Sequence, residues 1–180
     1  MVKAAGLGAI SALVHLLSDG SDEQKSRAAW ALGCILGDVE QNKNRAADAG
    51  AIPPLVQLLQ TGTDPQKLEA TAALGRICYQ LEDVKRKVAN AGAIPHLVHL
   101  LRYGTNDQKH MAVWTLCRVA KGVENITSQA VQAGAVEALL LVIRDSSHDK
   151  TKKGEAEWTL CGIIGDNKFE QLKKSNLFAL

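Results

Sequence analysis

Gly50-Ala51-Ile52-Pro53-Pro54-Leu55-Val56-Gln57-Leu58-Leu59 returns almost unchanged as Gly92-Ala93-Ile94-Pro95-His96-Leu97-Val98-His99-Leu100-Leu101. Looser copies begin at Gly8 and Gly134, and each step is 42 residues. A fixed period of this length marks stacked supersecondary units, because one unit alone cannot bury its apolar face. Stacking covers that face and leaves a long open surface. Such a surface suits another macromolecule better than an enclosed small substrate.

Within the second copy, Ile52-Pro53 opens a helix, with proline in the first turn where a missing N–H costs little. Ile52, Leu55, Val56, Leu58 and Leu59 give that helix a broad apolar face. Gly62 is expected to end it in a left-handed cap. Thr63-Asp64-Pro65-Gln66 then reads as a capping box, and Ser21–Gln24 and Thr105–Gln108 repeat the signature. A longer helix follows through Leu68, Ala72, Ala73, Leu74, Ile77 and Cys78, whose alanines and Gly75 permit close approach by neighbours. A short helix from about Leu81 to Ala91 closes the unit at Gly92. No strand pattern appears. The repeats are read as 8–49, 50–91, 92–133 and 134–176, within one domain covering residues 1–180.

The fourth copy gains two residues near Asp145 to Lys150: Trp158, Leu160 and Cys161 fall 44 residues after Trp114, Leu116 and Cys117. Asn176 restores the phase in place of glycine, since asparagine tolerates a left-handed backbone. Leu177-Phe178-Ala179-Leu180 resembles the start of a fifth unit. A solenoid normally ends in a polar outer face. An apolar end suggests an excised or engineered fragment, or an end covered by a partner or by a second copy in a dimer. At the other end, Met1-Val2-Lys3 and the apolar stretch to Leu17 imitate a signal peptide. The repeat phase of Gly8 to Leu17 assigns that stretch to a structural helix instead.

Composition agrees with packed helices. Apolar residues make up 46%, normal for a globular chain, with only three tryptophans, two tyrosines and two phenylalanines. The net charge of +2 argues against a general nucleic-acid binder. No run of 18 apolar residues suggests a membrane span. Cys34, Cys78, Cys117 and Cys161 form no CxxC pair. Cys117 and Cys161 both stand in Trp-Thr-Leu-Cys and are expected to be buried, reduced thiols. That points to a reducing compartment, cytoplasm or nucleus. The Asn125-Ile126-Thr127 sequon would go unused there.

The period, the three-helix unit and two motifs resemble the armadillo repeat family. One motif is Gly-Ala-Ile-Pro-x-Leu-Val-x-Leu-Leu, in the family's second helix. The other belongs to its third helix and here reads Ala29-Trp30-Ala31-Leu32, Ala72-Ala73-Leu74, Val113-Trp114-Thr115-Leu116 and Glu157-Trp158-Thr159-Leu160. HEAT repeats have two helices and lack the glycine-centred signature. The resemblance spans essentially the whole chain. It implies an all-α, right-handed superhelical solenoid whose third helices line a concave groove for extended peptides. Family members serve as nuclear import adaptors, adhesion and signalling scaffolds, and ubiquitin-ligase substrate readers. The fold alone does not choose among these.

In importin-α-like members a tryptophan and, four residues later, an asparagine repeat along the groove. Four residues is one helical turn, so both project the same way. Here the tryptophan place holds Trp30, Ala72, Trp114 and Trp158, and the asparagine place holds Cys34, Arg76, Arg118 and Gly162. Without asparagine there is no paired donor and acceptor to clamp a peptide backbone, which argues against a nuclear transport adaptor. Arg76, Arg118 and Lys121, one turn beyond Arg118, suggest a groove for carboxylates or phosphates. In the expected register the two arginines would lie side by side, or they would only pair internally with acids such as Glu69. Trp114 and Trp158 would meet apolar residues of the ligand, Trp30 would line the same groove, and Glu69 and Glu155 could recognise a flanking base. Four units at about 10 Å each give a groove of roughly 40 Å. At about 3.3 Å per residue it would hold about ten residues of extended peptide.

The remaining candidates are weaker. His96 and His99 share a helix face but lack a third metal ligand. Lys25, Lys67, Lys109 and Lys153 recur at one repeat position and would form a basic stripe if the chain bound RNA. Acids such as Asp22, Glu23 and Asp64 surround them and favour a solvated face. Lys150-Thr151-Lys152-Lys153 is too short to decide anything. No phosphate loop, nucleophile elbow or HExxH motif is present, so neither an enzyme nor a cofactor is expected.

Overall fold

The computed structural model describes residues 2–145 and 149–175. Asn176, the expected start of a fifth unit at 177–180, and residues 146–148 within the two-residue gain lie outside them. Among the described residues there are twelve α-helices and no strand. They fall into two compact units, Met1–Ala93 and Ile94–Leu180, divided where the third repeat begins.

The first unit holds α1 (Val2–Asp19), α2 (Asp22–Leu36), α3 (Glu40–Asp48), α4 (Ile52–Thr61), α5 (Asp64–Ile77) and α6 (Glu82–Asn90). The second holds α7 (Ala93–Tyr103), α8 (Asn106–Ala120), α9 (Glu124–Gln132), α10 (Ala135–Asp145), α11 (Lys150–Ile164) and α12 (Asp166–Lys174). The helices carrying the second repeat motif, α2, α5, α8 and α11, are the structural spine of each unit. In the first unit α5 packs along α2, and in the second α11 packs along α8.

The expected capping boxes form. Ser21 N–H donates to Gln24 Oε1 at 2.8 Å, and Thr105 N–H donates to Gln108 Oε1 at 3.0 Å. Gln66 does more than cap. Its Oε1 accepts from Thr63 N–H at 2.9 Å. Its Nε2 donates to the Asp22 carbonyl at 2.9 Å and to Asp22 Oδ1 at 3.1 Å. This buried amide is therefore satisfied while tying α5 to α2. The fourth repeat lacks the box. There Asp149 caps α11, accepting from Thr151 N–H at 3.1 Å and Lys152 N–H at 3.2 Å. The Lys152 backbone bond is the main reason its carboxyl titrates below the usual range.

One turn differs from expectation. Gly62 is extended, with φ −70° and ψ 165°, not left-handed. Glycine is needed there because a Cβ would collide with the Leu58 carbonyl oxygen. The repeat-opening Gly50, Gly92 and Gly134 are among the residues that are left-handed, with φ of 81°, 85° and 82°.

The core repeats with the sequence. Leu32, Leu74, Leu116 and Leu160 occupy one repeat position and are all fully buried, as are Leu55, Leu97 and Leu139 at another. Ala28, Ala70, Ala112 and Ala156 line the close helix contacts and are equally buried. Each buried leucine contributes about 1.5–3 kcal/mol. Cys78 is buried, but Cys117 and Cys161 are only partly so. Each follows a core leucine, and one step of about 100° around the helix carries it from the core to the α8–α11 surface.

Candidate functional site

In the second unit, Trp114 and Arg118 stand one turn apart on α8. The Arg118 guanidinium lies 3.7 Å from the centre of the Trp114 ring. Lys121 caps the C-terminus of α8 in an extended conformation. That turn carries its ammonium across to α11, 4.2 Å from the centre of the Trp158 ring. Trp158 is 58% exposed, a large apolar surface to leave in water. Two cation–aromatic stacks therefore sit on one face of α8 and α11. Each is worth about 0.5–1 kcal/mol where exposed.

Between these helices lies a cavity of about 200 Å³, bordered by Cys117, Lys121, Trp158, Cys161, Gly162 and Asp166. Cys161 Sγ donates to Asp166 Oδ1 at 2.8 Å. That hydrogen bond, with burial adding to it, pushes the thiol pKa up, so the group stays neutral at physiological pH. Glu155 does not face this cavity. Its Oε2 lies 3.2 Å from His110 Nδ1 on α8.

In the first unit the same repeat positions look different. Trp30 is 57% exposed on α2, and Cys34, one turn on, is exposed as well. Ala72, at the tryptophan place on α5, is buried and interrupts the row. Arg76 is half-buried and lies against α2: a Cβ on Gly33 would sit 2.6 Å from Arg76 Nη1. Glu69 is also half-buried. Burial raises its carboxyl pKa, and the positive charge of Arg76 partly opposes the shift.

The structure thus brings Trp114, Arg118, Lys121 and Trp158 together within the second unit. It places Trp30, Glu69 and Arg76 in the first. The lysine stripe is partly paired with acids: Lys109 Nζ donates to Asp145 Oδ2 at 3.1 Å, and Lys153 lies 4.0 Å from Glu157. His99 packs against Tyr103, with ring centres 5.0 Å apart. Burial, and secondarily the charge of His99, lowers the His96 pKa. Sequence reasoning missed the cavity and the His110–Glu155 pair. The only sequence signal for the cavity was a glycine, Gly162, inside a helix and one turn after a tryptophan. Among the described residues no single helix is long and apolar enough to cross a membrane.

A family model, the plant U-box protein ARM repeat region, matches residues 2–158. No curated protein matches the sequence. Solved structures do match. One is the designed armadillo repeat protein YIII(Dq.V1)4CPAF in complex with the peptide (KR)4, at 30% identity and TM-score 0.83, covering 96% of this chain and 72% of that one. Another is a computationally designed armadillo repeat protein for modular peptide recognition, at 27% identity and TM-score 0.83, with the same coverage. A third is an engineered protein at 28% identity and TM-score 0.80, covering 93% of this chain and 69% of that one.

Proposed function

This chain belongs to the armadillo repeat family represented by the plant U-box protein ARM repeat region, and we propose that it binds an extended protein segment bearing carboxylate or phosphate groups. The armadillo fold is commonly a peptide-binding scaffold and in general a non-enzymatic one. The observation that carries the finer reading is the pair of stacks in the second unit. There each tryptophan ring already carries one of the chain's own cations, and Trp158 stays largely exposed beside it. A lysine-rich ligand would have to displace Arg118 and Lys121 from those rings and then lie beside them, like charge against like. A carboxylate or phosphate would instead meet a guanidinium and an ammonium of opposite charge. In the first unit Arg76 is half-buried against α2, and Trp30 is exposed. The ligand is a segment of another protein, met in the cytoplasm or nucleus.

A second reading has one observation in its favour. The designed relative at 30% identity is in complex with a basic peptide, (KR)4. An array of ten-residue peptides, acidic, phosphorylated and basic, separates the two, run on this chain and on its Arg76→Ala/Arg118→Ala variant. Selective capture of acidic or phosphorylated peptides, lost in the double variant, is the expected result. Preference for basic peptides, unchanged in the variant, overturns the proposal and favours the second reading.

A further inference from the structure

Gly162 lies within α11, one turn after Trp158. It is not among the left-handed glycines, and a Cβ added to it would meet nothing within 4 Å. Neither backbone conformation nor crowding calls for glycine there. A glycine inside a helix costs about 1 kcal/mol relative to alanine. Gly162 is exposed on α11 and borders the cavity between α8 and α11, leaving that edge without a side chain.

The cavity has a definite character. At about 200 Å³ it falls below the ~300–1,000 Å³ of pockets that enclose free small molecules, and it suits a single side chain. Apolar residues border it: Ala120 and Ile163, which are almost fully buried, and the largely exposed Trp158. The Cys161 thiol on its border is neutral, held by Asp166. The Asp166 carboxylate disfavours an acid inside. Lys121, over the Trp158 ring at the rim, disfavours a base and attracts an acid just outside.

We propose that this cavity is a subsite for one apolar side chain, of leucine, isoleucine or methionine size, from an extended peptide whose neighbouring carboxylate or phosphate meets Lys121. The inference rests on the peptide-binding reading above and adds to it a motif: an apolar residue flanked by acids.

The test uses a host peptide with two acidic residues on each side of a variable position, occupied by Leu, Ser or Lys. The leucine peptide is expected to bind about tenfold tighter than the serine peptide, as one well-buried aliphatic group allows. Gly162→Leu fills the cavity and brings that ratio close to one. Gly162→Ala gives the telling combination of a higher Tm and a smaller preference for leucine. Gly154→Ala is the control. Gly154 is another glycine of α11 with open space around it, and it does not border the cavity. That variant raises Tm and leaves the preference intact. Equal binding of all three peptides, tightest binding of the lysine peptide, or a leucine preference that survives Gly162→Leu overturns the subsite.

A second measurement does not depend on acidic peptides. N-acetyl-leucinamide should move the Trp158 indole resonance in NMR titrations at lower concentration than N-acetyl-serinamide does, and should leave Trp30 unmoved. Identical responses overturn the subsite. Acidic peptides that bind without a leucine preference would sink this inference and leave the function standing. A Trp158-selective leucinamide response with no acidic-peptide binding would do the reverse.

Discussion

On α2 and α5 the tryptophan row holds Trp30 and a buried Ala72; on α8 and α11 it holds Trp114 and Trp158. One turn further on, the first unit places Cys34 and Arg76, and the second places Arg118 and Gly162. In the first unit the arginine lies down across Gly33 and enters the seam between helices. In the second the arginine stacks on its own tryptophan, a lysine crosses to the next one, and a glycine borders a cavity between the two helices. Two faces built on one repeat template thus differ in kind. A side chain at a given repeat position takes its role from what stands opposite it on the neighbouring helix. Arg76 and Arg118 are both half-buried, but one lies against a glycine of the neighbouring helix and the other stacks on its own tryptophan, while Lys121 stays exposed beside Trp158.

Each unit has its own core, and the same repeat positions fill both. Leu74→Ala and Leu116→Ala test it with the largest expected effect. Both leucines are fully buried at the same repeat position, so each truncation should cost about 2–5 kcal/mol of unfolding free energy, measured by urea denaturation. Costs within about 1 kcal/mol of each other would confine the difference between the units to their surfaces. A wide gap would mean the cores differ as well.

Binding sharpens the contrast next. Arg118→Ala combined with Lys121→Ala should weaken an acidic ten-residue peptide by about 10- to 100-fold, the value of a hydrogen bond or two to a charged group. Arg76→Ala should weaken it less and register mainly as a change in stability, because that guanidinium is half-used in packing. Calorimetric titration of both variants checks the order. If Arg76→Ala costs as much binding as the pair, the first unit's arginine is not packing.

The smallest effect concerns Glu69. Its folded-state pKa is raised, chiefly by burial. The folded chain therefore binds more protons than the unfolded chain between the ordinary glutamate pKa and the raised one. Across that window stability falls as pH rises, and above it the deficit is constant. Glu69→Gln should be slightly more stable than the parent at pH 7, with the gain fading towards pH 4. Partial solvent screening keeps the effect small. Thermal unfolding at the two pH values measures it. A variant less stable at pH 7 would show that the attraction to Arg76 outweighs the burial, and that the pair helps hold the first unit's seam.

Much of this architecture was legible in the residues. The 42-residue period, the prolines after Ile52 and Ile94, and the Ser21, Thr63 and Thr105 boxes place helices through local chemistry, which a linear reading can follow. The turn at Gly62 was read less well. A left-handed cap and an extended glycine crowded by a carbonyl leave the same letter in the sequence, and only the path of the chain tells them apart. Cys117 and Cys161 were placed too deep for a similar reason. Their repeat phase was right, but one residue past a core leucine turns the side chain away from the core.

The sequence by itself determined the repeat, the all-helical unit and the leucine positions that fill the core. Those depend on spacing along the chain, and a helix converts spacing directly into direction. Tertiary structure alone decided what the polar and small residues of the third helices do: that Gln66 reaches Asp22, that Glu155 meets His110, that Lys121 reaches over the Trp158 ring, and that Gly162 borders a cavity. Each partner there lies on a neighbouring helix some 40 residues away, and a reach across that gap depends on packing distance and side-chain rotamer, neither of which is written in the order of the residues.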